Sequence, residues 1–181
     1  MIESRKLLLY AASEKDADML YATGFFAPDP FLFVQKGKKR YLVASDLERD
    51  RAQRQSRVDR VLSWSRLSKK VEAAGRHPTV AAVAAQVLKD LRLKRVEVPR
   101  SFPLGLAMDL DELGIRLVQV DDPFWPQREI KRPDEIRAIT ASLRAAEAGL
   151  AAGLTALGSC RRGKDGYLRR DGRRFTAEDL R

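Results

Sequence analysis

The sequence predicts an α/β domain, a mixed β-sheet covered by helices, followed by one long linker helix. Three observations carry that expectation. Strand-like and helix-like stretches alternate from residue 6 to residue 120, which suits a sheet with parallel pairs packed under helices. One Gly-containing hairpin interrupts the alternation and makes the sheet mixed. A single apolar stripe then continues beyond residue 133 for about six turns. With 181 residues and 44% hydrophobic content, the chain has enough apolar mass for a real core.

The elements follow in order. "KLLLYAA" reads as a buried strand, and "SEKDADMLYATG" as a short helix capped by Ser13 and closed by Gly24. After the loop "FFAPDP", the run "FLFVQKGKKRYLVAS" is two aromatic and β-branched strands joined by a turn. "RVLSWS" suits a further strand, "RLSKKVEAAG" a helix, and "TVAAVAAQVLKDLRL" a helix opened by Thr79. "RVEVP" is a short strand, "PLGLAMDLDELG" a helix started by Pro103 and ended by Gly114, and "IRLVQV" a strand.

Prolines at 123, 126 and 133 make "DDPFWPQREIKRP" a rigid connection and a natural boundary. Beyond it Pro133 stands at a helix N1 position, with Asp134 and Glu135 at the positive end of the helix dipole. Ile136, Ile139, Leu143, Ala146, Leu150, Leu154 and Leu157 form the stripe, which is expected to fold back on the domain or to pair with a second copy. After it comes a polar tail with DG turns at 165 and 171, expected to be poorly ordered on its own. Thr176 and Asp179 then have the spacing of a capping box, announcing a helix just as the sequence stops. The expected organisation is a domain over 1–125, a linker and first helix over 126–157, and the start of a further domain, cut short, over 158–181.

The formal charge of +10 makes nucleic acid the first partner to weigh. Residues 49–70 carry eight Lys and Arg against two Asp, and 161–181 carry eight against four acids. Few aromatics accompany them, only Trp64 in the first and Tyr167 and Phe175 in the second, so solvated basic faces are the expectation. The apolar run at 7–12 is too short for a membrane span or a signal peptide, and a single Cys160 excludes an internal disulfide. Both features suit a cytoplasmic protein.

Other motifs lack the context their chemistry needs. "GSCRRGKD" has the G-x-x-x-x-G-K spacing of a phosphate loop, but a helix precedes it and Asp165 stands where a hydroxyl would bind magnesium. One histidine, His77, and one cysteine cannot build a usual zinc site. Asp109, Asp111 and Glu112 read as the wet face of a helix, and Asp121 and Asp122 as the end of a strand, with no partner base or nucleophile in view.

Two stretches resemble a known family. "LYATGFFAPDPFLFVQKGKKRYLVASDLERDRA", residues 20–52, is similar to the opening of the N-terminal domain shared by creatinase, prolidase and aminopeptidase P. The counterparts of the family's features are Tyr21, Thr23, Gly24 and Phe25 at the helix end, then Glu48 and the pair Arg51 and Ala52 beyond the hairpin. "REIKRPDEIRAITASLRAA", residues 128–146, resembles the segment that leads from this domain into the catalytic one, except that Arg132 replaces the usual Ser or Thr cap.

The resemblance implies a parent Xaa-Pro aminopeptidase or dipeptidase, or a non-peptidase relative such as creatinase. Its "pita-bread" domain would hold two divalent ions, manganese, cobalt or zinc, on two Asp, one His and two Glu. That ligand set is not in this sequence, so no catalytic, cofactor-binding or metal-binding residue is assigned here. The implied role is a non-catalytic domain that helps form a homo-oligomer and shapes access for proline-containing peptides, with its own catalytic domain as partner. The alternative is a basic nucleic-acid-binding module. Within "GFFAPDP", Phe25, Phe26, Pro28 and Asp29 are the candidate substrate-gating residues: either both rings cap the core, or one ring and the stiff turn project outward.

Overall fold

Leu7, Leu8 and Leu9 are all buried, yet they serve two different cores, because successive side chains on a strand point to opposite faces. They belong to strand β1 (Lys6–Ala11), and both faces of its sheet are covered by helices, which is why it reads as an unbroken apolar run. The computed structural model describes residues 5–180, and the chain divides into two units, one ending at Arg128 and the other starting at Glu129.

In the first unit β1 is followed by helix α1 (Ala17–Thr23), the hairpin β2 (Phe31–Lys36) and β3 (Lys39–Ala44), helix α2 (Asp46–Gln55) and strand β4 (Arg60–Ser63). Helices α3 (Trp64–Ala73) and α4 (Val80–Asp90), strand β5 (Arg95–Pro99), helix α5 (Leu104–Glu112) and strand β6 (Arg116–Val120) complete it. The strands form one six-stranded sheet in the order β4-β3-β2-β1-β5-β6. β2 runs antiparallel to both β1 and β3, with Leu8 opposite Val34 and Val34 opposite Tyr41, while the other pairings are parallel. The sheet is therefore mixed, as the single hairpin predicts.

One face is covered by α3, α4 and α5 through Leu67, Val71, Val83, Val87, Leu106 and Leu110. The other face is covered by Met19 and Ala22 of α1, Ala52 of α2, and the aromatic pair Phe124 and Trp125. The proline-rich connection is thus docked at its start: Arg5 donates to the Phe124 carbonyl at 2.9 Å and to Glu97 at 2.8 Å, and Arg128 pairs with Asp18.

Three local expectations are corrected, and one helix is added. Ser13 does not cap α1; Asp16 does, accepting from Met19 N at 2.7 Å, because the helix begins only at Ala17. The third helix starts at Trp64 rather than Arg66, since Ser63 at the end of β4 also serves as its cap. Pro103 stands at the N-cap of α5, one position before the helix proper. The basic stretch after β3 contains a full helix, α2, opened by Ser45.

In the second unit helix α6 (Pro133–Gly158) starts at Pro133, and its weak cap is mended by Glu135, whose carboxylate accepts both the Arg132 backbone N–H and the Arg132 guanidinium at 2.8 Å. The apolar stripe is exposed along its length. Residues 161–174 form a three-stranded antiparallel sheet, β7 (Arg161–Arg162), β8 (Leu168–Arg170) and β9 (Arg173–Arg174), with Asp171 and Gly172 in the left-handed turn between the last two. Asp165 ties it together, accepting from Arg169 at 2.9 Å and Arg174 at 3.2 Å. At the end, Asp179 accepts the Thr176 N–H at 2.8 Å, and a single 3-10 turn over Glu178–Leu180 follows.

Candidate functional site

The candidate site grows out of the end of α1. Gly24 closes that helix at φ 62°, a left-handed geometry that glycine adopts without strain, and its N–H donates to the Leu20 carbonyl. A Cβ there would stand 3.0 Å from the Cγ and Cδ of the Arg57 side chain, which would have to shift slightly, so it is mainly φ that selects glycine. The loop that follows is held by two buried hydroxyls. Thr23 Oγ1 donates to the Met19 carbonyl at 2.8 Å and accepts the Phe25 N–H at 3.2 Å. Ser13 Oγ donates to the Phe25 carbonyl at 2.6 Å and accepts the Ala27 N–H at 2.8 Å. The backbone polar groups of Phe25 and Ala27 are thus satisfied away from water, as buried amides must be.

A third clamp comes from α2. Arg51 donates to Glu48 at 2.7 Å and to the Phe26 carbonyl at 2.8 Å, and its guanidinium lies 4.4 Å over the Phe25 ring. Ala52 beside it is fully buried in the core, where a larger side chain would have to displace its neighbours. Tyr21 packs on Trp125 with ring centroids 5.9 Å apart. Of the residues that carried the resemblance, Thr23, Gly24 and Arg51 fix the loop from residue 24 to residue 30, while Tyr21 and Ala52 pack against the rest of the domain.

That loop divides its two rings. Phe25 is 1% exposed and meets Phe31 edge to face at 5.7 Å, whereas Phe26 is 55% exposed. Pro28 and Asp29 are exposed as well. Phe25, Pro28 and Asp29 line a cleft of about 330 Å³ with Tyr10, Trp64 and Glu48. The cleft lies where β1 and β3 end and where α2, α3 and α4 begin, a common location for ligand crevices in open α/β sheets. Its lining is largely apolar, and its two carboxylates, Asp29 and Glu48, suit an apolar or cationic group better than an anion. Phe26 stands outside this lining. The structure brings three of the four candidate residues to one cleft and turns the fourth to solvent.

Sequence reasoning missed Ser13, Thr23 and Arg51 as the groups that position the loop. The spacing of Glu48 and Arg51, three apart, was the one signal of a helical ion pair. Close by, the Asp46 carboxylate is held below the usual range by hydroxyl donors from Ser65 and then Ser63, and by the charges of Arg49 and Arg66.

Among the described residues, no three His, Cys, Asp or Glu side chains come together as a metal site. His77 lies between α3 and α4, Asp109, Asp111 and Glu112 are exposed on α5, and Asp121 and Asp122 follow β6. The residues present do not fit a two-metal centre. The G-x-x-x-x-G-K segment follows α6 and leads into the small sheet, where a phosphate loop would lead directly into a helix. Among the described residues, no helix is long and apolar enough to cross a membrane.

Comparison with known proteins gives the following. The sequence model of the Creatinase/Prolidase N-terminal domain matches residues 6–130. No curated protein sequence matches the chain. Among solved structures, an X-Pro aminopeptidase from Thermotoga maritima MSB8 superposes with a TM-score of 0.69 at 15% identity, over 91% of this chain and 44% of that one. The Xaa-Pro dipeptidase from Bacillus anthracis gives 0.66 at 13% identity, over 83% and 38%. The prolidase from Pyrococcus furiosus gives 0.60 at 14%, over 91% and 43%. At these identities the likeness is one of fold, and the chain spans less than half the length of each of these structures.

Proposed function

The chain belongs to the creatinase/prolidase N-terminal domain family, and on that footing we propose that it is the non-catalytic N-terminal domain of a cytoplasmic enzyme resembling Xaa-Pro aminopeptidases and dipeptidases. The hydrolysis itself would fall to a further domain holding two divalent ions, manganese, cobalt or zinc, which supply an activated water and polarise the scissile carbonyl. The part played by this chain is to help assemble a homo-oligomer and to shape the approach of proline-containing peptides. The observation that carries this reading is Phe26: a large ring, 55% exposed, on a loop whose backbone is held by Ser13 at Phe25 and Ala27 and by Arg51 at the Phe26 carbonyl. An exposed ring on a fixed backbone suits a rim that selects peptides by shape and stacking. The exposed stripe of α6 is a second apolar surface open to assembly.

The test is Phe26→Ala in the complete enzyme. It is expected to raise KM or shift the preferred peptide length while metal content stays unchanged, and unaltered kinetics would overturn the reading. The 181-residue chain alone, given manganese, cobalt or zinc, is expected to hydrolyse no Xaa-Pro dipeptide. Turnover that co-purifies with it and is abolished by a chelator would place the chemistry in this chain instead.

A further inference from the structure

Strand β4 is an edge strand, and beside it lies a second cleft, of about 450 Å³, unrelated to the Phe26 loop. Its apolar wall includes Leu62, Leu67 and Val87, contributed by β4, α3 and α4. Four cations line it as well: Arg49 from α2, Arg60 from β4, and Arg66 and Lys70 from α3. Among the described residues, Asp90 is the only carboxylate in the lining, and it is already engaged by Lys70 at 2.8 Å and by Gln86 at 2.7 Å. Asp46 lies near enough to act on Arg49 and Arg66, but its oxygens are taken by the hydroxyls of Ser63 and Ser65. Among the described residues, no carboxylate is hydrogen-bonded to the guanidinium of Arg49, Arg60 or Arg66. Arg49 Nε is moreover buried with no acceptor.

Like charges gathered on one cleft repel, and a buried N–H without an acceptor is unfavourable. An anion in the cleft relieves the repulsion and offers acceptors to the guanidinium donors that line it. Guanidinium groups match the geometry of phosphate oxygens through paired N–H donors, and the cleft volume falls in the range of small-molecule sites. We propose that this cleft binds a small organic phosphate, with its phosphoryl oxygens among Arg49, Arg60 and Arg66 and its apolar body against Leu62, Leu67 and Val87. The site is independent of the reading of the Phe26 loop. It also gives the basic stretch 49–70 a definite role, since three of its arginines face one cavity.

The experiment is calorimetric titration of the 181-residue chain with phenyl phosphate, inorganic phosphate and benzoate, each at two salt concentrations. Saturable one-to-one binding of phenyl phosphate is expected, tighter than that of either fragment by about tenfold or more, because only it supplies both the dianion and the ring. Arg66→Gln, an exposed position whose replacement leaves the core intact, is expected to weaken it by about tenfold, while far-ultraviolet circular dichroism stays unchanged and Tm falls only slightly through the lost charge beside Asp46. Arg54→Gln, outside the cleft, is expected to leave affinity unchanged. Absence of saturable binding overturns the proposal. So does equal weakening by Arg54→Gln and Arg66→Gln, or binding of duplex DNA that grows with duplex length and displaces phenyl phosphate, since either outcome would mean a diffuse polyanion surface.

Discussion

Arg51 stacks its guanidinium 4.4 Å above the ring of Phe25 and at the same time donates to the carbonyl of the next residue, Phe26. One side chain on α2 thus fixes a buried ring and the backbone of an exposed one. Truncation by Arg51→Ala removes the cation over the ring and leaves the Phe26 carbonyl and Glu48 without their donor. A loss of about 1–3 kcal/mol of unfolding free energy is expected in urea denaturation. Arg51→Lys restores the charge but not the planar fork, so it should recover only part of the loss. Equal stability of all three proteins would mean that the loop is held by Ser13 and Thr23 alone.

The two phenylalanines should separate cleanly. Phe25→Ala deletes a ring that is 1% exposed and is expected to cost about 3–5 kcal/mol, the range for emptying a buried aromatic site. Phe26→Ala removes an exposed ring and should stay within about 0.5 kcal/mol. Thermal unfolding of the two variants decides the matter. Comparable losses at both positions would make Phe26 part of the core and remove it as a rim residue.

Thr23 gives a third test, because its hydroxyl both donates and accepts inside the fold. Thr23→Val keeps the shape and leaves the buried Phe25 N–H without an acceptor, for an expected cost of about 1–3 kcal/mol. Thr23→Ser keeps the hydroxyl and should cost less. Amide exchange at Phe25 reports the same event locally: protection should fall in the valine variant and persist in the serine one.

Most of this fold was legible because its strands and helices have different apolar periods. The run at 7–11 is apolar on every residue because β1 is buried on both faces, and α4 declares itself by its alanine face and by Thr79, which accepts the Ala82 N–H as its cap. Helix α2 was hidden for an equally physical reason. Ala52 is its only buried residue and Leu47 is 95% exposed, so its sequence has almost no apolar stripe. At the candidate site, Phe25, Phe26, Pro28 and Asp29 stood out by composition, but which ring turns inward was beyond sequence reach. That choice is made by Ser13, Thr23 and Arg51, which meet the loop from 12 residues before Phe25, two before it and 25 after Phe26. Ser13 also misleads locally, since a serine ahead of a helix usually caps it, whereas here Asp16 competes for that place and wins.

The last prediction concerns acid. Asp46 opens α2 and receives hydroxyl hydrogen bonds from Ser65 and Ser63, with Arg49 and Arg66 nearby, and these hold its carboxyl below the ordinary value of 3.8. A group whose folded pKa is depressed stabilises the fold while ionised, so its contribution is complete above pH 3.8 and disappears as pH falls through the lower folded value. Asp46→Asn removes that charge at every pH. The variant should therefore be less stable than the parent chain at about pH 6, and the gap between them should close as pH is lowered below 3.8. Asp165, Glu178 and Asp179 are also held below their usual range and add acid sensitivity of their own. They lie in the second unit and are unchanged in the variant, so the difference between the two Tm curves isolates Asp46. A Tm gap that stays constant from about pH 6 to about pH 2 would show that Asp46 acts through packing or helix start rather than through its charge.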